Sequence, residues 1–218
     1  MSRWTVEARS KAVDSVFARA PVIPVISIDR LEQAIPLARC LVEAGLPVLE
    51  VTLRTGAALA AIRAIASEVP EACVGAGTVL NSIDLENVAE QGAEFAISPG
   101  ATEALFEAAA LAAVPLIPAI ATASELMRGL ERGHRRFKFF PAESSGGVAA
   151  LKSLAGPFPQ ARFCPTGGID LAKAPSYLAL SNVATLGGSW MLPADALASG
   201  DYARIGRLAV EAAALGKP

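Results

Sequence analysis

The run Arg136-Phe137-Lys138-Phe139-Phe140 sets one lysine inside an apolar segment of strand composition. Of the five lysines, Lys11, Lys152 and Lys173 fall in or beside predicted helices and Lys217 in the tail, so only Lys138 lies in a strand. Side chains alternate across a strand. Lys138 therefore shares a face with Arg136 and Phe140, while Phe137 and Phe139 pack the other way. Burying an ammonium is costly unless it is paired or its pKa falls. A desolvated lysine beside a second cation gives up its proton more readily, and the free amine can attack a carbonyl. The competing reading is a lysine paired with an inward carboxylate for stability alone. Buried lysines are rare and tend to be functional.

The run Val48-Leu49-Glu50-Val51-Thr52-Leu53-Arg54 supplies a complement. Its period of two puts Glu50, Thr52 and Arg54 on one face. A carboxylate enclosed near the mouth of a pocket can shuttle protons. Arg54 offers a fixed fork of donors suited to a substrate carboxylate. A buried ion pair without chemistry is the plainer reading of Glu50 taken alone.

Two glycine pairs follow later strands, in Pro165-Thr166-Gly167-Gly168-Ile169 and Gly187-Gly188-Ser189-Trp190. Glycine lets a backbone approach a ligand and aim successive N–H groups at it. Segment Ser189–Leu197 is expected to add a short helix whose N-terminus favours an anion. Such pairs also serve ordinary turns. The turns Gly75-Ala76-Gly77-Thr78 and Ser98-Pro99-Gly100 end two further strands, where they read either as turns or as walls for a small keto acid.

These residues sit in a chain that alternates β-rich runs with Ala/Leu-rich stretches of helical period. The strands are predicted at Val22–Ile28, Pro47–Leu53, Cys73–Val79, Phe95–Ser98, Pro115–Ile120, Arg136–Phe140, Arg162–Pro165 and Val183–Gly187. Helices are predicted at Leu31–Ala44, Gly56–Glu68, Asp84–Gln91, Glu103–Ala113, Ser124–Arg132, Gly147–Ala155, Ala172–Leu180 and Tyr202–Ala214. Thr55, Ser82, Thr102, Thr122 and Asp170 stand where helix caps belong. An additional N-terminal helix is expected within Met1–Ala20, where Trp4, Val6, Val13, Val16 and Phe17 keep helical spacing. Units of roughly 20–26 residues imply parallel pairing through right-handed crossovers. An open doubly wound sheet is the rival. It usually carries a glycine-rich turn after its first strand, and here that turn reads Ser27-Ile28-Asp29-Arg30. The expected fold is an α/β (β/α)8 TIM barrel, one domain over residues 1–218, with catalytic groups at the carboxyl ends of its strands.

Composition narrows the function. At 53% hydrophobic and 18% charged residues there is ample core and no signature of disorder. The net charge of -2 and the lack of a basic run argue against nucleic acid. Cys40, Cys73 and Cys164 are widely spaced and odd in number, so they read as reduced packing residues. His134, between Gly133 and Arg135, reads as a solvated loop histidine, and no metal or other cofactor is expected. The longest uncharged stretch, Ala174–Ala194, is broken by prolines, glycines and polar residues, which excludes a membrane helix. With no signal-peptide core, the expected location is the cytoplasm.

Six segments carry a family resemblance: VLEVTLRT (Val48–Thr55), VGAGTVLN (Val74–Asn81), FAISPG (Phe95–Gly100), FKFFPAE (Phe137–Glu143), FCPTGGI (Phe163–Ile169) and GGSW (Gly187–Trp190). In this order, from about Pro21 onward, the chain resembles the 2-dehydro-3-deoxy-phosphogluconate aldolase/4-hydroxy-2-oxoglutarate aldolase family of class I aldolases. The resemblance implies that Lys138 would form a Schiff base with the keto substrate and that Glu50 would act as general acid/base through a water. Arg54 and Thr78 would hold the keto-acid carboxylate, with Pro99 and Phe140 shaping the pocket. Thr166, Gly167, Gly168, Gly187, Gly188 and Ser189 would receive a phosphate. The substrates would be a small keto acid and a phosphorylated aldehyde, and the assembly a homotrimer. Ala119 and Ala121, in LIPAIAT (Leu116–Thr122), depart from the Gly and Ser more usual there and bear on pocket shape. An aldolase for the galactonate epimer, a phosphosugar isomerase or epimerase, and a silent binding barrel are the alternatives. The glycine loops favour a phosphorylated substrate.

Overall fold

The computed structural model describes residues 2–216; the tail lysine, Lys217, lies outside the described residues. The strands are β1 (Val22–Ile26), β2 (Val48–Thr52), β3 (Cys73–Gly77), β4 (Ala96–Ile97), β5 (Leu116–Ile117), β6 (Ala119–Ile120), β7 (Arg136–Phe139), β8 (Arg162–Pro165) and β9 (Leu186–Gly188). The helices are α1 (Val6–Phe17), α2 (Ala34–Glu43), α3 (Ala58–Glu68), α4 (Ser82–Glu90), α5 (Glu103–Leu111), α6 (Ala123–Glu131), α7 (Gly147–Ala155), α8 (Ala174–Leu178), α9 (Ala194–Ser199) and α10 (Tyr202–Ala213). All strand pairing is parallel, in a six-stranded order β5-β4-β3-β2-β1-β9 and a three-stranded order β6-β7-β8. The result is an α/β fold with a curled parallel sheet.

The predicted strand Pro115–Ile120 is observed as two halves, β5 and β6, separated by Pro118. Proline has no N–H to give to a ladder, so the pairing breaks there. The Ser98 N–H donates to the Ile117 carbonyl, and the Ala119 N–H donates to the Ser98 carbonyl at 3.1 Å. The chain thus passes from one ladder to the next. Beyond β8, Phe163 donates to the Asn182 carbonyl at 2.8 Å, and isolated bridges join Phe163 to Val183 and Thr166 to Gly187.

Two apolar layers hold the curl. The outer layer packs Phe137, Phe139, Leu49, Val51 and their neighbours against the helices. The inner layer packs Ile23, Val48, Cys73, Phe95, Ile97, Ile117 and Cys164 against Val13, Val16 and Phe17 of α1. Each large side chain so buried contributes roughly 1.5–3 kcal/mol. Helix α1 is therefore fixed as a plug, and Arg136 of β7 is tied to Asp14 of α1 at 2.6 Å. These contacts mark the amino-terminal end of the strands as the packed end and leave the carboxyl end for polar groups.

Helix caps follow the prediction at Thr102 and Thr122, the latter in a full capping box with Glu125. At α4 the cap is Asn81, not Ser82: Asn81 accepts from the Asp84 N–H, and Ser82 is already helical. Thr55 caps nothing, because its hydroxyl donates to the Ile28 carbonyl and α3 begins at Ala58. Among the described residues no helix is long and apolar enough to cross a membrane.

Candidate active site

Strands β2 and β7 are not neighbours, yet each sends one polar side chain into the interior. Lys138 Nζ donates to Glu50 Oε1 at 2.7 Å, with the lysine side chain 7% and the glutamate side chain 1% exposed. The expected second cation is not the lysine's partner. Its contact is a carboxylate, because Glu50 and Lys138 both point inward from the third position of their strands. The amine's proton thus has an acceptor within direct reach.

Small residues make room for this pair. Ala119 and Cys164 stand in register on either side of Lys138, and Gly75 pairs with Glu50. Gly77 presents a bare backbone to the glutamate, since a Cβ there would lie 2.8 Å from Glu50 Cγ. Burial pushes the Cys164 thiol up to about 12, with Lys138 lowering and Glu50 raising it, so it stays a neutral part of the floor. Glu50 Oε2 is buried with no partner among the described residues.

The other predicted residues follow the carboxyl ends of strands. Arg54, exposed, donates from Nε to Thr52 Oγ1 at 3.0 Å, and Thr52 donates to the Ile26 carbonyl. Nε is thereby anchored to β2. Thr78, just past β3, has φ +60°, a left-handed conformation unusual for a β-branched residue. Pro99 is exposed after β4. The Phe140 ring centroid lies 5.5 Å from Lys138 Nζ, within cation–π range.

The first glycine turn joins this group directly. Gly167 and Gly168 have φ +107° and +77°, and Gly167 abuts Phe140, whose ring carbon would lie 3.4 Å from a Cβ there. The backbone N–H groups of Gly168 and Ile169 find no acceptor among the described residues, while the Gly167 N–H faces Gly187 across the bridge from Thr166. Thr166 is buried and lies against Gly187, which any side chain at 187 would displace. Gly188 lies beneath the Trp190 ring, and Ser189 is exposed. The anticipated helix in Ser189–Leu197 begins only at Ala194, after Pro193, so it does not start at the glycine pair.

Two features escaped prediction. His134 is buried, 1% exposed, with Phe106 at 5.3 Å and Phe137 at 6.5 Å between ring centroids. The loop reading fails because Gly133 turns the chain inward at φ +80°, seating the imidazole in the apolar layer. Burial, aided by Arg9 and Arg135, drives its pKa down to about 3. Glu143, Lys173 and Tyr177 form a cluster around the Gly167–Gly168 turn, and the Lys173 hydrogen bond holds Glu143 below the usual carboxylate range. Their signal was faint: Lys173 and Tyr177 are four apart in sequence, one helical turn. Among the described residues no three His, Cys, Asp or Glu side chains group to hold a metal ion.

Fold and site together define an α/β protein with a curled parallel sheet and a buried lysine–glutamate pair in its interior. The chain belongs to the KDPG and KHG aldolase family, whose model matches residues 13–208. It is 58% identical over 212 residues to the KHG/KDPG aldolase of Escherichia coli K12, covering 97% of each chain. It is 56% identical over 214 residues to the 2-dehydro-3-deoxy-phosphogluconate aldolase of Dickeya dadantii, covering 98% of each. A crystal structure of KDPG aldolase from Legionella pneumophila, with pyruvate captured at low pH as a covalent carbinolamine intermediate, superposes with a TM-score of 0.90. That chain is 46% identical, and the match covers 92% of this chain and 97% of that one.

Proposed function

We propose that the protein is a class I aldolase that cleaves 2-dehydro-3-deoxy-6-phosphogluconate to pyruvate and glyceraldehyde 3-phosphate through an imine on Lys138. It also takes 4-hydroxy-2-oxoglutarate to pyruvate and glyoxylate. The observation that carries this reading is the 2.7 Å contact between Lys138 Nζ and Glu50 Oε1 in a buried setting. The carbinolamine trapped in the Legionella relative supports an amine as the nucleophile.

Attack requires a neutral amine, and Glu50 stands where it can take the proton. Lys138 Nζ adds to the C2 carbonyl, and the carbinolamine loses its oxygen as water to leave a protonated imine. Glu50 then removes the C4 hydroxyl proton, through a water. The C3–C4 bond breaks, its electron pair passes into C2–C3, and the C2=N pair moves onto nitrogen. The aldehyde departs, leaving an enamine. Glu50 returns a proton to C3, and water hydrolyses the imine to release pyruvate and the free lysine. Arg54 and Thr78 hold the keto-acid carboxylate, Pro99 and Phe140 border the pocket, and Thr166, Gly167, Gly168, Gly187, Gly188 and Ser189 receive the phosphate. Burial of the Lys138–Glu50 pair strengthens its electrostatics by excluding water.

The same reading closes the curled strands into a (β/α)8 barrel over one domain, with β5 and β6 serving as its fifth strand. The continuity through Pro118 and the bridges from β8 to the last strand support it. It makes the assembly a cytoplasmic homotrimer, expected to sediment at three times the 22.4 kDa chain mass. The direct test is incubation with pyruvate and borohydride followed by mass measurement. One reduced pyruvate per chain is expected, mapping to Lys138. No adduct, under conditions that label a known imine-forming aldolase, ends the proposal.

A further inference from the structure

The loops after β7 and β8 are laced together. The Ala142 N–H donates to the Thr166 carbonyl at 2.8 Å and the Glu143 N–H donates to the Gly167 carbonyl at 3.1 Å. The Glu143 carboxylate accepts from the Tyr177 hydroxyl on one oxygen and pairs with Lys173 Nζ at 2.8 Å on the other. The same ammonium donates to the Gly168 carbonyl at 2.9 Å. Glu143 also occupies the space beside Gly168, for a Cβ there would lie 2.9 Å from both its Cβ and its Cγ. Tyr177 is 1% exposed, so one end of the cluster is fixed in the core.

As stabilising contacts these are modest. The Lys173 and Glu143 side chains are 45% and 35% exposed, and ion pairs so exposed add little to stability. Their effect is on orientation. A carbonyl and the next N–H lie on opposite sides of a planar peptide. By drawing the Gly168 carbonyl to itself, Lys173 turns the Ile169 N–H the other way, and the Gly167 carbonyl is drawn off likewise by the Glu143 N–H. The turn's unpartnered N–H groups are thus set as a fixed anion cradle.

We propose that Glu143, with Lys173 and Tyr177, is a positioning residue that presets the Gly167–Gly168 turn for the phosphate end of the substrate and couples it to the strand of Lys138. This rests on the phosphate reading of that turn. Glu143 touches no reacting atom. It follows Lys138 by five residues on the same strand and loop, so one short segment registers both ends of the substrate.

The test compares Glu143→Gln, Tyr177→Phe and Lys173→Met with the wild type on phosphorylated 2-dehydro-3-deoxy-gluconate and on 4-hydroxy-2-oxoglutarate, which has no phosphate. The Ki of inorganic phosphate is measured alongside. Expected is a rise of roughly tenfold in KM for the phosphorylated substrate and in the phosphate Ki, the scale of one charge-assisted hydrogen bond. Values of kcat, and KM for the unphosphorylated substrate, should stay within about twofold, and Lys173→Arg should recover most of the loss. Equal changes on both substrates, or no change on either, overturn the proposal while leaving the phosphate reading intact. Wild type that is neither competed by inorganic phosphate nor selective for the phosphorylated substrate overturns both readings. Lys173→Met alters only an exposed side chain, so the comparison survives if Glu143→Gln fails to fold.

Discussion

Gly77 lies directly against the Glu50 carboxylate, in space that a side chain would have to share: a Cβ at 77 would come within 2.8 Å of Glu50 Cγ and 2.9 Å of Cδ. Glycine is needed there for clearance. Gly77→Ala should therefore push the carboxylate away from Lys138 Nζ. A misplaced proton carrier of this kind is expected to lower kcat by about 100-fold. Fluorescence and circular dichroism should show an intact fold, and borohydride trapping should still label Lys138. Normal kcat in Gly77→Ala would detach Glu50 from the chemistry.

The same pair makes a prediction about stability. Removing one member of a buried ion pair strands the other charge, which costs about 3–5 kcal/mol, whereas replacing both with apolar groups is often neutral. Lys138→Met should destabilise strongly, and Lys138→Met with Glu50→Leu should recover most of that loss while remaining inactive. Urea titrations of the single and double variants give the coupling. Additive losses would mean that the two side chains do not share the interior as the 2.7 Å contact requires.

Lys138 and Glu50 were readable because alternation puts each on the face opposite the apolar residues that pack on the helices, and in a curled sheet such inner faces approach one another. The Gly167–Gly168 turn was readable for a similar local reason, whereas Gly187 and Gly188 lie within β9 and not in a turn after it. What stayed hidden depends on contacts between distant segments. His134 looks solvated beside Gly133 and Arg135, and only the inward turn at Gly133 delivers it between Phe106 and Phe137. Glu143, Lys173 and Tyr177 come from separate units whose meeting is set by how the β7 and β8 loops are laced. The break at Pro118 was visible as a proline, but its consequence, two short ladders in place of one, depends on the partner strands.

Thr78 offers a test of stored strain. Its φ of +60° costs a non-glycine residue roughly 1–2 kcal/mol, and the unfolded chain of a glycine variant gains about 0.5–1 kcal/mol of entropy. Thr78→Gly should thus be as stable as wild type or up to about 1 kcal/mol more stable in urea. If the threonine is held there to meet the keto-acid carboxylate, KM for the substrate should rise by roughly tenfold in the same variant. A variant that loses stability and keeps its KM would place the residue's role in the fold alone.

His134 makes a pH prediction whose sign is fixed by its burial. The imidazole's pKa falls from 6.5 to about 3 on folding, chiefly through desolvation, with Arg9 and Arg135 adding to it. Between those two values the unfolded chain binds a proton that the folded chain refuses, so stability must fall as pH falls across that window. One such proton corresponds to a slope of about 1.4 kcal/mol per pH unit. Carboxylates contribute their own acid dependence, but His134→Leu removes only the imidazole term and keeps an apolar side chain between Phe106 and Phe137. The difference between wild type and His134→Leu in urea midpoint should therefore be small near neutral pH and widen steadily towards pH ~4 in favour of the variant. Parallel curves would mean that the imidazole takes up its proton in the folded protein, which its burial beside Phe106 and Phe137 opposes.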